Sequence, residues 1–262
     1  MSPTTISDKI QTTLEGGILE LKLNINANNS MIPDGFRALD AALETHAQDP
    51  AVRVAVLGTA VPGFFCNGLD PDAVHGASVA QIRELIQYFF SVLKKLLFFP
   101  VPVVAAINGH AMGYGAMLAL MSDFRLMLDK GARIAFPEIN IGIGLPVFVA
   151  SPLQDVVGMN QARDLLLYGK ALKGPDALAI GLIDELHDGA ELDAAAHKTA
   201  KKLAGLSNSA VRSMKTTLRY RYSEGLDAIL ARDIENTIAL LQSPDAKEGF
   251  SAMVEKRRPR FS

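Results

Sequence analysis

The chain has 262 residues, 49% hydrophobic and 21% charged, enough for one sizeable core or one core with a small appendage. Its 26 basic and 28 acidic residues give a net charge of −2 with no basic stripe, which argues against nucleic acid or an anionic membrane as main partner. One cysteine, Cys66, excludes an intramolecular disulfide and a multi-cysteine metal site and fits a reducing, cytoplasmic compartment.

The opening MSPTTISDKIQ lacks the basic patch and apolar stretch of a secretory leader. Alternation through Ile18, Leu19, Leu21, Leu23 and Ile25 after Gly16-Gly17 predicts two extended runs about a turn. A helix is expected over 34–46, with Asp34 as N-cap and Phe36, Leu39, Ala42 and Leu43 on one face. A buried strand (52–57), a loop (58–70) and a helix through Ile82, Leu85, Ile86, Phe89, Val92, Leu93 and Leu96 follow. The pattern recurs as a strand (101–107), a loop (109–115) and a short helix (116–121), then strands at 124–128 and 134–136. The richest apolar run, 96–121, is broken by Pro100, Pro102, Asn108 and His110, short of the ~20 residues that span a membrane.

Strands alternating with helices imply an α/β protein with largely parallel pairing. From about residue 193 the signal is helical only, near 193–206, 209–222, 225–242 and 244–257. We therefore divide the chain into 1–192, an α/β core with the site, and 193–262, a helical region. Ile229, Leu230, Ile234, Ile238 and Leu241 look too many for a lone surface helix and favour a subunit contact over a cap on the chain's own core.

Several chemistries drop out. There is no G-x-S-x-G elbow and no G-x-x-x-x-G-K-[ST] loop, and Gly113-Tyr114-Gly115 followed by Leu118 fails G-x-G-x-x-G. The histidines show no metal spacing, and His46, His187 and His197 read as solvated surface residues. Three segments remain. The loops 64–70 and 108–115 carry glycines that free backbone N–H groups, and two such amides aimed at one point make an oxyanion hole. Each loop alone also reads as a tight turn. Glu138 is the one charge in the apolar stretch 134–143, where lost hydration raises carboxylate basicity, unless it simply reaches solvent.

In order along the chain, 24–30, Phe65–Asp70, Pro102–Gly109, Ser122-Asp123-Phe124-Arg125, Phe136-Pro137-Glu138 with Ile141-Gly142, Ala179–Asp184 and Glu255–Pro259 resemble the crotonase, or enoyl-CoA hydratase/isomerase, superfamily. The resemblance implies a spiral of ββα units with a C-terminal helical trimerisation region, and a homotrimer or hexamer. It implies a coenzyme A thioester as substrate, with no tightly bound cofactor and no metal. It assigns the oxyanion-hole N–H groups to Leu69 and Tyr114, the catalytic carboxylate to Glu138, and substrate or CoA contacts to Ala27, Asn67, Pro71, Met117 and Lys256.

The departures bear on the reaction. Asp72 stands where a lysine is usual, the 24–29 segment lacks an Arg-Pro pair, and Tyr114 replaces a glycine or alanine, so its ring must shape or crowd the pocket. Leu145 and Phe148 are further candidates for the pocket wall. Hydratases of the family carry two glutamates; here the first aligns with Met117, three residues past Tyr114 and so on the site-facing side of a helix. One glutamate suits a Δ3,Δ2-enoyl-CoA isomerase better than a hydratase. A hydratase of weak activity, another enolate reaction such as decarboxylation or thioester or C–C hydrolysis, and a non-catalytic acyl-CoA-binding homologue are the alternatives.

Overall fold

The computed structural model describes residues 7–261; residues 1–6, where the reading of the N-terminus began, and Ser262 lie outside them. Strands β1 (Ile10–Glu15) and β2 (Ile18–Leu23) form an antiparallel hairpin that pairs Glu15 with Ile18. Its turn residues Gly16 and Gly17 have φ of 58° and 81°, the double positive φ that a two-residue hairpin demands. Helix α1 (Pro33–Ala47) is capped by Ile32, not by Asp34 as expected. Pro33 takes the first helical position, where its missing N–H leaves nothing unpaired, and Asp34 instead accepts from Arg37 at 2.5 Å.

Three successive ββα turns follow: β3 (Val54–Thr59), β4 (Gly63–Cys66) and α2 (Val79–Leu97); β5 (Val103–Ile107), β6 (Gly109–Met112) and α3 (Tyr114–Met121); β7 (Phe124–Leu128), β8 (Arg133–Ala135) and α4 (Val147–Tyr168). Each turn gives its first strand to one sheet and its second to another. With β9 (Ala171–Lys173), α5 (Gly174–Ala179) and β10 (Glu185–His187), the sheets run β1-β2-β3-β5-β7-β10 and β4-β6-β8-β9. All pairings are parallel except β1 with β2 and β8 with β9. The two glycine-bearing segments expected as loops therefore each contain a short strand, β4 and β6. Helix α4 was not anticipated, because Pro152 and a non-helical Gly158 (φ 77°, ψ 158°) interrupt its pattern.

Helix α2 shows why the sequence folds locally as it does. Ser78 accepts from the Gln81 N–H while Gln81 receives the Ser78 N–H, and the apolar face buries Ile82, Leu85, Ile86, Phe89, Leu93 and Leu96. Helix α3 is buried on every side, which its uniformly apolar sequence allows. Helix α6 (Leu192–Ala204) lays Leu192, Ala196 and Ala200 on Ile18, Val54, Val56, Val104, Ala106 and Leu126 of the larger sheet.

Helices α7 (Asn208–Arg219), α8 (Leu226–Leu241) and α9 (Pro244–Val254) complete the chain. The α8 apolar residues are not spare. Leu230, Ile238 and Leu241 are buried within the chain's own main core, and Ile229 and Ile234 pack against it, so the sequence-based case for a subunit contact on this face does not hold. Helix α8 also sends Asp233 to accept the Phe148 N–H at 2.8 Å, capping α4, which has no side-chain cap of its own. Among the described residues no helix is long and apolar enough to cross a membrane, and no group of His, Cys, Asp or Glu is placed to hold a metal ion.

Charge is buried at two seams. Arg125 donates to the Leu182 and Ser122 carbonyls, both at 2.9 Å, and pairs with Asp184. Asp123 accepts from the Val103 N–H (2.8 Å), Lys215 Nζ (2.6 Å) and Arg219 (2.8 Å), while Lys215 also donates to the Val101 carbonyl (2.8 Å). Thus α7 is tied to the edge of β5 through one carboxylate. Asp123→Ala leaves the buried Lys215 ammonium without its counter-charge and is expected to cost about 3–5 kcal/mol, read as a fall in chemical-denaturation midpoint.

Candidate active site

Strands β4, β6 and β8 lie side by side and parallel, with β6 in the middle. Their carboxyl ends lead directly into Asn67-Gly68-Leu69, Gly113-Tyr114 and Phe136-Pro137-Glu138. Three segments distant in sequence thus reach one edge of one small sheet, the position where open α/β sheets favour ligands.

Glycines let these segments close up. A Cβ on Gly109 would lie 2.1 Å from the Gly63 carbonyl carbon, and one on Gly115 would lie 2.1 Å from the Cys66 carbonyl oxygen. Gly68 (φ 84°) has room for no more than a tight fit, since its Cβ would stand 3.2 Å from the Met112 oxygen and 3.9 Å from the Tyr114 nitrogen. The amides of Leu69 and Tyr114 therefore belong to touching segments. Among the described residues, neither N–H is spent on a backbone bond of a turn, loop or cap. Tyr114 is the first residue of α3, where unspent N–H groups and the helix dipole favour negative charge.

Segment 24–31 is stitched to the first loop. The Met31 N–H donates to Gly68, the Asp70 N–H donates to Met31, and Asn29, at φ 55°, donates to the Phe65 carbonyl at 2.8 Å.

Between these ends lies a cavity of ≈ 220 Å³, walled by Gly68, Leu69, Gly113, Tyr114, Met117 and Glu138 with Ile86, Phe89, Ile141, Leu241 and Phe250. Glu138 is the only charged side chain among the described residues lining it. It opens a 3-10 turn over Glu138–Ile141, is 9% exposed, and its Oε2 has no hydrogen-bond partner among the described residues. Oε1 faces Gly113, whose Cβ would lie 3.2 Å away. Burial pushes the carboxyl up to about 7, opposed only weakly by its own backbone N–H.

The turn is clamped from the C-terminal side. A Cβ on Gly249 of α9 would meet the Ile141 carbonyl oxygen at 2.2 Å, and one on Gly142 (φ 73°) would meet the Asp245 carbonyl carbon at 2.8 Å. At Gly249 the nearest atoms are all main chain, and at Gly142 the Asp245 Cβ joins the main chain at 2.9 Å.

Of the residues singled out in the sequence, Asn67, Leu69, Tyr114, Met117 and Glu138 line the cavity. Ala27 and Pro71 do not. They are exposed and half-buried respectively, and their chain neighbours Asn26 and Asp70 are joined by a hydrogen bond at 3.5 Å. Lys256 is exposed beyond α9, at φ 54°. Leu145 and Phe148 are absent from the wall; Phe148 is buried against Phe90, ring centroids 6.5 Å apart.

The Tyr114 ring does not project freely into the cavity. It packs edge-on against Phe36 (centroids 4.8 Å apart) and beside Phe89 (4.6 Å), and its hydroxyl donates to the Phe89 carbonyl at 3.1 Å. His46 is not solvated as read: both ring nitrogens are buried without a hydrogen-bond partner among the described residues, and burial lowers its pKa. The sequence reading missed Ile86 and Phe89 of α2 and Thr237, Leu241, Phe250 and Met253 of α8 and α9 as wall residues. Apolar helical spacing singled out Ile86, Phe89 and Leu241, but not what they cover, and gave no sign of Thr237, Phe250 or Met253.

Comparison with known proteins identifies the family. The chain is 31% identical over 243 residues to an enoyl-CoA isomerase/hydratase of Mycosarcoma maydis, covering 90% of this chain and 87% of that protein. It is 36% identical over 188 residues to enoyl-CoA delta isomerase 3 of Arabidopsis thaliana, covering 68% and 78%. A crystal structure of an enoyl-CoA hydratase from Mycobacterium avium subsp. paratuberculosis K-10 matches with TM-score 0.86 at 27% identity, over 97% and 98% of the chains. Human mitochondrial delta3-delta2-enoyl-CoA isomerase shares the fold with TM-score 0.91 at 21% identity, over 95% and 97%. The sequence profile of the family matches residues 13–262, and with it the chain belongs, as an enzyme, to the enoyl-CoA hydratase/isomerase family of the crotonase superfamily.

Proposed function

We propose that the protein is a Δ3,Δ2-enoyl-CoA isomerase that works with one carboxylate. The observation that carries this reading is Glu138, buried and, among the described residues, with an unpartnered oxygen in a cavity whose other walls are uncharged. Moving a double bond from C3–C4 to C2–C3 needs one group that takes a proton from C2 and returns it at C4. Glu138 supplies that group in both steps. The N–H groups of Leu69 and Tyr114 accept the dienolate charge that develops on the thioester oxygen; one such donor is typically worth ~3–4 kcal/mol in the transition state. Asn67, which lines the cavity, and Ala27, Pro71 and Lys256, which do not, are assigned to the coenzyme A portion by the family resemblance; it enters as part of the substrate.

Hydration asks for more. Water must be activated on one side while a proton is delivered to the α-carbon on the other, work that two carboxylates divide. The α3 position that lines the same cavity as Glu138 is held by Met117, a thioether 3% exposed that neither accepts nor delivers a proton.

Self-association is part of the proposal, on a different surface from the one the sequence suggested. Met214 and Leu218 of α7 are 67% and 74% exposed, with Leu206 and Tyr220 beside them in sequence. A homotrimer, or a hexamer made of two, would cover them, and the buried Cys66 thiol suits a cytoplasmic setting. Light scattering is expected to return three or six chain masses; a monomer would remove this part.

With a 3-enoyl-CoA the wild-type protein should generate conjugated-thioester absorbance, and with a 2-enoyl-CoA it should consume little. The opposite pattern marks a hydratase, and binding without turnover marks a non-catalytic homologue. Glu138→Gln is expected to lower kcat by about 10²–10⁴-fold while leaving acyl-CoA affinity nearly intact. The base is the ionised form, and burial holds the Glu138 carboxyl near 7. Hence kcat/KM should rise with pH through a midpoint near 7 and level off above it, whereas a midpoint near 4.5 would mean a hydrated Glu138.

A further inference from the structure

The cavity does not end where its walls close. Leu241 and Phe250 line it, and the same two side chains line a second cavity of ≈ 420 Å³ on their far side. The partition is therefore one layer of side chains thick. Both residues are buried, at 3% and 2% exposure, and come from different helices, α8 and α9. The two cavities also share a floor. Ile86 and Phe89 of α2 face the first, and Ile82, one turn earlier on the same apolar face, faces the second. One helical turn covers ~5–6 Å along the axis, so the stripe passes under the partition without a break. The second cavity is apolar along Ile82 and Val74 and opens to solvent beside Lys247.

We propose that Leu241 and Phe250 set the acyl length the enzyme accepts: chains that end at the partition fit the first cavity, and longer chains require these side chains to give way to the second. This rests on the reading of the first cavity as the acyl site. The first cavity is of the size that holds a small apolar ligand, since an engineered apolar cavity of ~150 Å³ accommodates benzene. Leu241 and Phe250 come from α8 and α9, so shortening either side chain thins the partition while Glu138, Leu69 and Tyr114 are themselves left unsubstituted.

The test uses the full-length chain and measures equilibrium binding of saturated hexanoyl-CoA and tetradecanoyl-CoA, followed by turnover of the matching 3-enoyl-CoA esters. Phe250→Ala and Leu241→Ala should each raise the affinity ratio of the long over the short ester by about tenfold or more relative to wild type, the scale on which apolar pockets discriminate. Phe250→Leu should move it the same way by less, and it serves if the alanine variants fail to fold. Leu192→Ala removes an equally buried side chain under the larger sheet, away from both cavities, and should leave the ratio unchanged. A ratio that stays put in the folded partition variants, or moves equally in Leu192→Ala, overturns the proposal. The binding series is independent of the reaction assigned to the site: absent turnover with a shifted ratio counts against isomerisation alone.

Discussion

The parallel pairing of three short strands is the constraint on which the site depends. β4, β6 and β8 hold only four, four and three residues, and each contributes little stability by itself. Their register nevertheless decides where Leu69, Tyr114 and Glu138 stand, because each of these follows its strand by at most three residues. Glycine is required where it occurs: at Gly109 and Gly115 any side chain would collide with the backbone of the neighbouring segment. The larger sheet and α6 act as a foundation, with ordinary apolar packing that tolerates repacking better than these glycine contacts do.

Reactivity and stability pull against each other at Glu138. Its carboxyl titrates near 7 in the folded chain and near 4.5 when solvated. The folded state thus binds this proton more tightly than the unfolded one. The stabilising contribution is fully present below about 4.5 and is lost as pH rises through about 7. The ionised form that can take a proton is the form the fold tolerates least, a burden common to sites that hold a desolvated base.

Sequence made the long regular elements legible and the short ones not. Helix α2 announced itself through the apolar spacing that runs from Ile82 to Leu96. Strands β4 and β6 stayed hidden inside apparent loops, because four residues beginning at a glycine give no alternation to read. Helix α4 was lost to Pro152 and Gly158, and the cap on α1 shifted because proline outranks aspartate at the first helical position. Within the site, Glu138 stood out as a charge against an apolar background, and the two glycine loops as amide donors. The walls from α8 and α9 could not be read. Leu241 carries the same helical periodicity whether it covers its own chain or another, and only the tertiary path of α8 distinguishes the two.

The seat between α9 and the Glu138 turn carries a consequence for divergence. Because Gly249 meets the Ile141 main chain and Gly142 meets the Asp245 main chain and Cβ, neither position can accept a side chain and stay where it is. The outer faces of the last two helices, and the apolar residues that look into the cavity, carry no such restriction. Drift is thereby channelled: descendants of this sequence can explore new shapes at the far end of the ligand while the acid stays anchored at the near end.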